Sequence, residues 1–196
     1  AGLTSIEVQG RTVFVIDILR ATTTMCAALA HGAKAIIPAA STEEALRLAQ
    51  TIGSEDLLLA GERNCVTIPG FQLGNSPLEM REATVRGKTL IVSTTNGTKA
   101  LLACMGAAAV YPTAAVNLTL AAERASEAIA NDGELLIVCA GRDGGFALDD
   151  AYCAGRLIAA ALGSRKPHRA LNDAGLASLD LVRRYGADSV GLLTGD

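Results

Sequence analysis

The sequence predicts an α/β fold: a three-layer α/β/α arrangement on a mainly parallel sheet, in two associated α/β halves. Three observations predict its class. Short β-branched apolar runs alternate along the chain with longer Ala/Leu-rich segments of helical period. The runs are apolar throughout, as in strands covered on both faces. Half of the 196 residues are hydrophobic, only 3% are aromatic and none is Trp, so a sizeable core must be built from Ala, Val, Leu and Ile.

The elements follow in order. Residues 13–17 read as a strand and 23–30 as a helix ending at Gly32, with His31 at its C-cap. Ala35–Pro38 is a short strand, and Ser41 with Glu44 three residues on opens a helix through a capping box. Residues 57–60 form a strand, and 62–75, with Gly, Pro and no period, a loop. Ser76-Pro77-Leu78-Glu79 is a second capping box with Pro at the first helical position. Thr89–Ser93 is a strand, 98–105 a helix and 108–111 a strand. Asn117 caps a long helix to Ala130, on which Leu118, Ala121, Ala122, Ala125 and Ile129 share a face. Residues 134–139 are a strand and 149–162 a helix, and a last helix after Leu171 ends at Gly186 behind Arg183 and Arg184. No linker composition marks a division. The candidate break, near residues 112–116, gives an N-terminal half, 1–115, and a C-terminal half, 116–196; the alternative is one compact unit.

Composition excludes several functions. The net charge is -3, from 17 basic and 20 acidic residues, with no basic stripe. Nucleic acid is therefore not an expected partner. No apolar run approaches the roughly 20 residues of a membrane span, and no leader pattern opens the chain. The five cysteines are odd in number and lack CxxC spacing, against a disulfide framework or a structural zinc. They read mostly as small buried hydrophobes in a reducing cytoplasm. Two histidines, His31 and His168, are too few for His-based chemistry, and His168 reads as solvated. The P-loop, the dinucleotide fingerprint and G-x-S-x-G are absent. Asp17 is followed by Leu19 rather than a second Asp, and no Cys has an Arg six positions on.

Ligands of open α/β sheets bind beyond the carboxyl ends of the strands, so the residues after each strand are the candidates. They are Asp17, Arg20, Thr22, Thr23 and Thr24; Glu62 and Arg63; Thr94, Thr95, Asn96, Gly97 and Thr98; Asn117; and Gly141, Arg142 and Asp143, then Asp149 and Asp150. Carboxylates, guanidiniums, hydroxyls and glycines together suit an anionic ligand with a hard divalent cation. Residues 94–98 run from a hydroxyl-rich turn into a helix N-terminus, which suits phosphate or is simply a helix cap. Asp17 with Arg20 suits phosphoryl chemistry or is a strand-to-helix ion pair. Asp149 and Asp150 favour the helix dipole without any catalytic duty.

Together the segments 17–24, 61–63, 70–77, 94–98, 139–141, 150–151 and 153–155 resemble, in order, the 2-phosphosulfolactate phosphatase (ComB-like) family. The resemblance implies two α/β halves with the site in the cleft between them. It also implies an Mg²⁺-dependent phosphomonoesterase converting (2R)-2-phospho-3-sulfolactate to sulfolactate and phosphate, a step of coenzyme M synthesis in some organisms. By motif it carries over Asp17, Arg20, Glu62, Asn75, Asn96 and Asp150.

The expected catalytic set is Asp17, Arg20, Glu62 and Asp150. The expected metal ligands are Asp17, Glu62 and one of Asp149 or Asp150. Thr22, Thr23, Arg63, Asn75, Thr94–98, Gly141 and Arg142 would bind the substrate. Either a metal-activated water or Asp17 attacks phosphorus. The chain departs from the family at Asn64-Cys65, where Gly is common, and at Asp149, where Glu is usual. Family members run further at both ends, so terminal strands are expected to be missing. The competing reading is a non-catalytic binding module for a phosphorylated hydroxy acid. A homodimer is the base-rate expectation.

Overall fold

A computed structural model describes residues 3, 5–53, 55–164 and 171–186. The expected α/β class holds. Among the described residues the helices are α1 (Ser5–Val8), α2 (Ala21–Ala30), α3 (Thr42–Ile52), α4 (Glu82–Val85), α5 (Gly97–Ala103), α6 (Leu118–Asp132), α7 (Leu148–Leu162) and α8 (Asp173–Tyr185). The strands are β1 (Thr12–Ile16), β2 (Ala35–Pro38), β3 (Leu57–Arg63), β4 (Val66–Thr67), β5 (Thr89–Ser93), β6 (Ala109–Thr113) and β7 (Leu136–Cys139).

They form two sheets, β6-β1-β7 and β2-β5-β3-β4, parallel except for the β3–β4 hairpin. The sheets do not divide the chain at residue 115. Val13 of β1 pairs with both Val110 of β6 and Leu136 of β7, so the first sheet draws strands from either side of that position.

Two helices cross between the sheets. α2 follows β1 of the first sheet, yet Met25 and Ala28 pack on Ala60, Leu90 and Val92 of the second. α5 follows β5 of the second sheet, yet it covers Val13 and Val15 of the first, with Cys104, which follows α5, in the same cluster. α6 and α7 cover the opposite face of the first sheet around Phe14 and Leu157. α3 covers the outer face of the second around Leu59 and Ile91. Both crossing helices start at the carboxyl ends of their strands, so the fold brings two N-termini to one place between the sheets.

Several local expectations change. β3 runs on to Arg63 and turns back into β4, so the expected loop begins with a hairpin. Its turn holds Asn64 and Cys65 at φ 52 and 65, without the glycine that usually signals one. The second capping box forms only a 3₁₀ turn, Pro77–Glu79. The Glu79 carboxylate instead accepts the Gly74 N–H at 2.7 Å. Asn117 stands at the N-cap of α6 as expected, but its side chain makes no cap hydrogen bond; it clamps the turn before the helix, accepting Ala114 N–H at 2.8 Å and donating to the Pro112 carbonyl at 2.9 Å. The Ser41 box forms as read, with Glu44 N–H on Ser41 Oγ and Ala40 N–H on the Glu44 carboxylate. His31 closes α2, with Nδ1 against the Met80 carbonyl.

All five cysteines are free. Cys104 and Cys153 are buried, Cys26 is half-buried, and Cys65 and Cys139 are exposed, so fewer are buried than expected. Among the described residues no helix is long and apolar enough to cross a membrane. His168 lies outside the described residues.

Candidate active site

The chain leaves β1 at Ile16, and Asp17 is the first residue beyond it. Thr22 ties down the turn that follows: its hydroxyl accepts the Asp17 N–H at 3.0 Å and lies 2.8 Å from the carbonyl oxygens of Asp17 and Thr113. Thr23 donates to the Ile18 carbonyl at 2.7 Å. Thr22 is fully buried. Both hydroxyls are therefore spent on shaping the loop that aims Asp17.

The Asp17 carboxylate, 8% exposed, stands where α2 and α5 begin. Ala21 N–H of α2 donates to Oδ1 at 3.2 Å, and Gly97 N–H of α5 is a second donor. Gly97 explains how close the helices come. A Cβ there would stand 2.5 Å from both Ala21 Cβ and Asp17 Oδ2. The anion at these two helix N-termini is thus the protein's own carboxylate. Burial pushes the Asp17 carboxyl above its ordinary value, the Ala21 N–H opposes this, and the charges of Asp149 and Glu62 add to the rise.

Glu62 and Arg63 are neighbours on β3, so they leave it on opposite faces. Glu62 joins the face of Ala60, toward the crossing helices. It is 7% exposed, and its oxygens accept Thr95 N–H at 2.8 Å, Thr95 Oγ1–H at 3.2 Å and Cys65 N–H at 2.8 Å. Arg63 turns to the outer face. Its guanidinium donates to the Ser93 hydroxyl and the Glu62 carbonyl, and its charge acts on Glu43 of α3. The structure brings Glu62 to Asp17 and takes Arg63 away.

Thr94 and Thr98 lock each other: each N–H donates to the other's hydroxyl at 3.1 Å. Their groups, with Gly97 on Asp17 and Thr95 on Glu62, are engaged within the protein. The 94–98 turn therefore presents carboxylate-bearing walls rather than a row of free N–H groups. Asn96 reaches across instead, its Oδ1 accepting Asp143 N–H at 3.3 Å from the loop after β7.

Asp150, 3% exposed, joins two loops. Oδ1 accepts Ile18 N–H at 3.0 Å and Oδ2 accepts Gly141 N–H at 2.9 Å. Burial pushes its carboxyl up to about 6; those two N–H groups lower it, and the charges of Asp17 and Asp149 raise it. Asp149, one position earlier on α7, faces Asp17 closely enough to raise its pKa. Arg20 is half-buried and Arg142 exposed, and neither guanidinium pairs with a described residue.

Asn75 completes the wall. Leu73 bridges Ala60 in parallel and Asn75 follows two residues on, while Glu62 itself pairs with Thr67 of β4. Thr24, which carried no assigned role in the sequence, donates its hydroxyl to the Asn75 carbonyl at 3.1 Å and ties this wall to α2. Its signal was the third hydroxyl of an unbroken Thr22-Thr23-Thr24 run on a helix that must meet several loops.

Among the described residues no group of three or more His, Cys, Asp or Glu side chains is placed to hold a metal. Glu62, Asp150 and Asp17 each accept two or more protein donors, whereas Asp149 accepts none among the described residues. Asp17 and Asp149 interact electrostatically, and these two carboxylates fit a cation that keeps several waters and completes its shell with a substrate phosphate.

The chain matches the family model for 2-phosphosulpholactate phosphatase over residues 3–195. It is 42% identical over 187 residues to a protein of Symbiobacterium thermophilum named "Probable 2-phosphosulfolactate phosphatase", covering 95% of this chain and 78% of that protein. Proteins of the same name from Caldanaerobacter subterraneus subsp. tengcongensis and Clostridium novyi are 42% and 35% identical. Those matches cover 77% and 91% of this chain, and 61% and 72% of the two proteins. The residues that meet around Asp17 come from segments that the resemblance had picked out in order along the sequence, and the match now spans nearly the whole chain: it belongs to the 2-phosphosulpholactate phosphatase family.

Proposed function

We propose that the chain is an Mg²⁺-dependent phosphomonoesterase that hydrolyses (2R)-2-phospho-3-sulfolactate to sulfolactate and inorganic phosphate. The observation that carries this reading is the placement of Asp17. A buried carboxylate stands where two helix N-termini meet between the sheets, with Asp149 and Glu62 near enough to raise its pKa. A protein that only bound a phosphorylated hydroxy acid would gain nothing from acidic groups beside it. The family and its named relatives support the substrate.

Asp17 and Asp149 would hold the Mg²⁺, which when bound neutralises charge on the phosphate oxygens. The chain's own groups do the rest. Arg20 pairs with an anionic oxygen of the substrate and steadies the charge of the transition state. Arg142, on the loop after β7, meets the second anionic end of the substrate. Glu62 and Asp150 are positioning residues: the first fixes Thr95 and the β3–β4 turn, the second fixes Ile18 and Gly141. Asp17 faces the reacting phosphoryl group. Phosphoryl-enzyme trapped by acid quench marks Asp17 as the nucleophile; its absence, with single-turnover kinetics of direct hydrolysis, marks water.

The test is phosphate release from racemic phosphosulfolactate, phosphoglycolate and phospholactate, with and without Mg²⁺, and the melting temperature with phosphate in the same conditions. The expected result is metal-dependent release that prefers the sulfonated ester, with phosphate stabilising the protein more when Mg²⁺ is present. Tight binding with no release from any ester replaces the enzyme by a binding module.

A further inference from the structure

Asn117 follows β6 and holds the chain where it leaves that strand. Both ends of its half-buried carboxamide are used: Oδ1 accepts the Ala114 N–H at 2.8 Å and Nδ2 donates to the Pro112 carbonyl at 2.9 Å. Between those two residues lies Thr113, which is fully buried. The clamp therefore fixes one short segment, and the Thr113 carbonyl with it.

That carbonyl faces Asp17. The Ala140 N–H bonds the Ile16 carbonyl at 2.8 Å, so Ile16 turns its polar backbone groups toward β7. Asp17, one residue on, turns its own toward β6. β1 and β6 are parallel with Ile16 opposite Thr113, so the next rung of their ladder would join the Asp17 N–H to the Thr113 carbonyl. The rung is not made directly. The Thr22 hydroxyl stands in it, accepting the Asp17 N–H at 3.0 Å and lying 2.8 Å from the Thr113 carbonyl. A side chain of α2 is thus wedged between the ends of β1 and β6, and it rests on the carbonyl that Asn117 clamps.

We propose that Asn117 is a positioning residue for the reaction at Asp17. It acts through Thr113 and Thr22 on the Asp17 backbone, and so on the direction of the carboxylate, without touching the substrate. The proposal rests on reading the cleft as the phosphatase site. A loosened clamp lets the Thr113 carbonyl turn, the wedge shifts, and Asp17 moves off the reacting group while Arg142, on the loop after β7, keeps its place. The effect falls on kcat rather than on KM.

The experiment is a double-mutant cycle. Asn117→Ala removes the clamp and Thr22→Val the wedge, and each should lower kcat for phosphosulfolactate by at least about tenfold, with KM within about threefold of wild type. Because both act along one route, the double variant should lose no more than about threefold beyond Thr22→Val alone. Val116→Ala, at an exposed neighbour on the same turn, should leave kcat unchanged. Losses that multiply in the double variant, or an Asn117→Ala protein that keeps its kcat and only melts at a lower temperature, overturn the proposal.

Amide hydrogen exchange reads the same route without catalysis. In the wild type, the Asp17 and Ala114 N–H groups should exchange only with global unfolding. In Asn117→Ala, the Asp17 N–H, which Asn117 does not touch, should exchange at least about tenfold faster relative to the amides of β5 in the other sheet. An Asp17 N–H that exchanges freely in the wild type overturns the proposal even if every variant unfolds, and so does one whose protection Asn117→Ala leaves unchanged. If the wild type releases no phosphate from any ester, the phosphatase reading fails, and the Asp17 exchange still decides whether Asn117 positions that residue.

Discussion

Gly97 and Asp150 show how narrowly individual residues set this site. A methyl group at position 97 would meet Asp17 Oδ2 and Ala21 Cβ at 2.5 Å. Gly97→Ala should therefore push α5 away from α2 and turn the Asp17 carboxylate. The expected loss is about 1–3 kcal/mol in urea unfolding, with phosphatase activity falling further than that destabilisation explains. Asp150 makes a prediction about pH. Its folded pKa of about 6 lies above the ordinary 3.8. Between those values the folded state binds more protons than the unfolded state, so this contribution is complete below 3.8 and is lost as pH rises through 6. The rise corresponds to about 3 kcal/mol. Unfolding free energies of wild type and Asp150→Asn between pH 3.5 and 7 should show a steeper decline in the wild type, the raised Asp17 carboxyl contributing to both; parallel curves would refute it. The site carboxylates were legible in the sequence because each ends or follows an apolar strand. Arg63 was misplaced because the strand was read to stop at residue 60. Carried on to 63, its alternation puts Glu62 and Arg63 on opposite faces.

The helices carry the same logic one level up. Periodic segments with sound caps were legible, and α3, α6, α7 and α8 lie close to where the pattern put them. The Ser76 box failed because its Glu79 oxygen serves Gly74 rather than the start of a helix, a competition that the four-residue pattern cannot reveal. The β3–β4 hairpin was illegible because Asn64 and Cys65 make its turn without glycine. The Cys153-Ala154-Gly155 segment has a packing explanation. A Cβ on Gly155 would collide with the Ser178 carbonyl of α8 and stand 2.8 Å from Val182 Cγ2. The α7–α8 contact thus depends on a glycine in mid-helix, where helix propensity alone would favour alanine by up to about 1 kcal/mol. Gly155→Ala should separate the two helices and lower stability by about 1–3 kcal/mol. A stabilised variant would refute the close approach.

At the scale of the molecule, the sequence conveyed the parallel α/β class but not which strands pair. β1 lies between β6 and β7, about a hundred residues further along the chain, and local pattern carries no signal for such partners. For the same reason a division at residue 115 cuts through the first sheet. The exchange of α2 and α5 between the sheets follows from that pairing, and it places the Asp17 carboxylate where the two crossing helices begin. The most direct test compares phosphate release from phosphosulfolactate by wild type and by Asp17→Asn, which keeps an oxygen for the Ala21 N–H. The expected result is a fall in kcat of at least about 100-fold, with a folded protein and a cooperative unfolding transition. A variant that retains a rate within tenfold of wild type would contradict the placement of the reaction at Asp17.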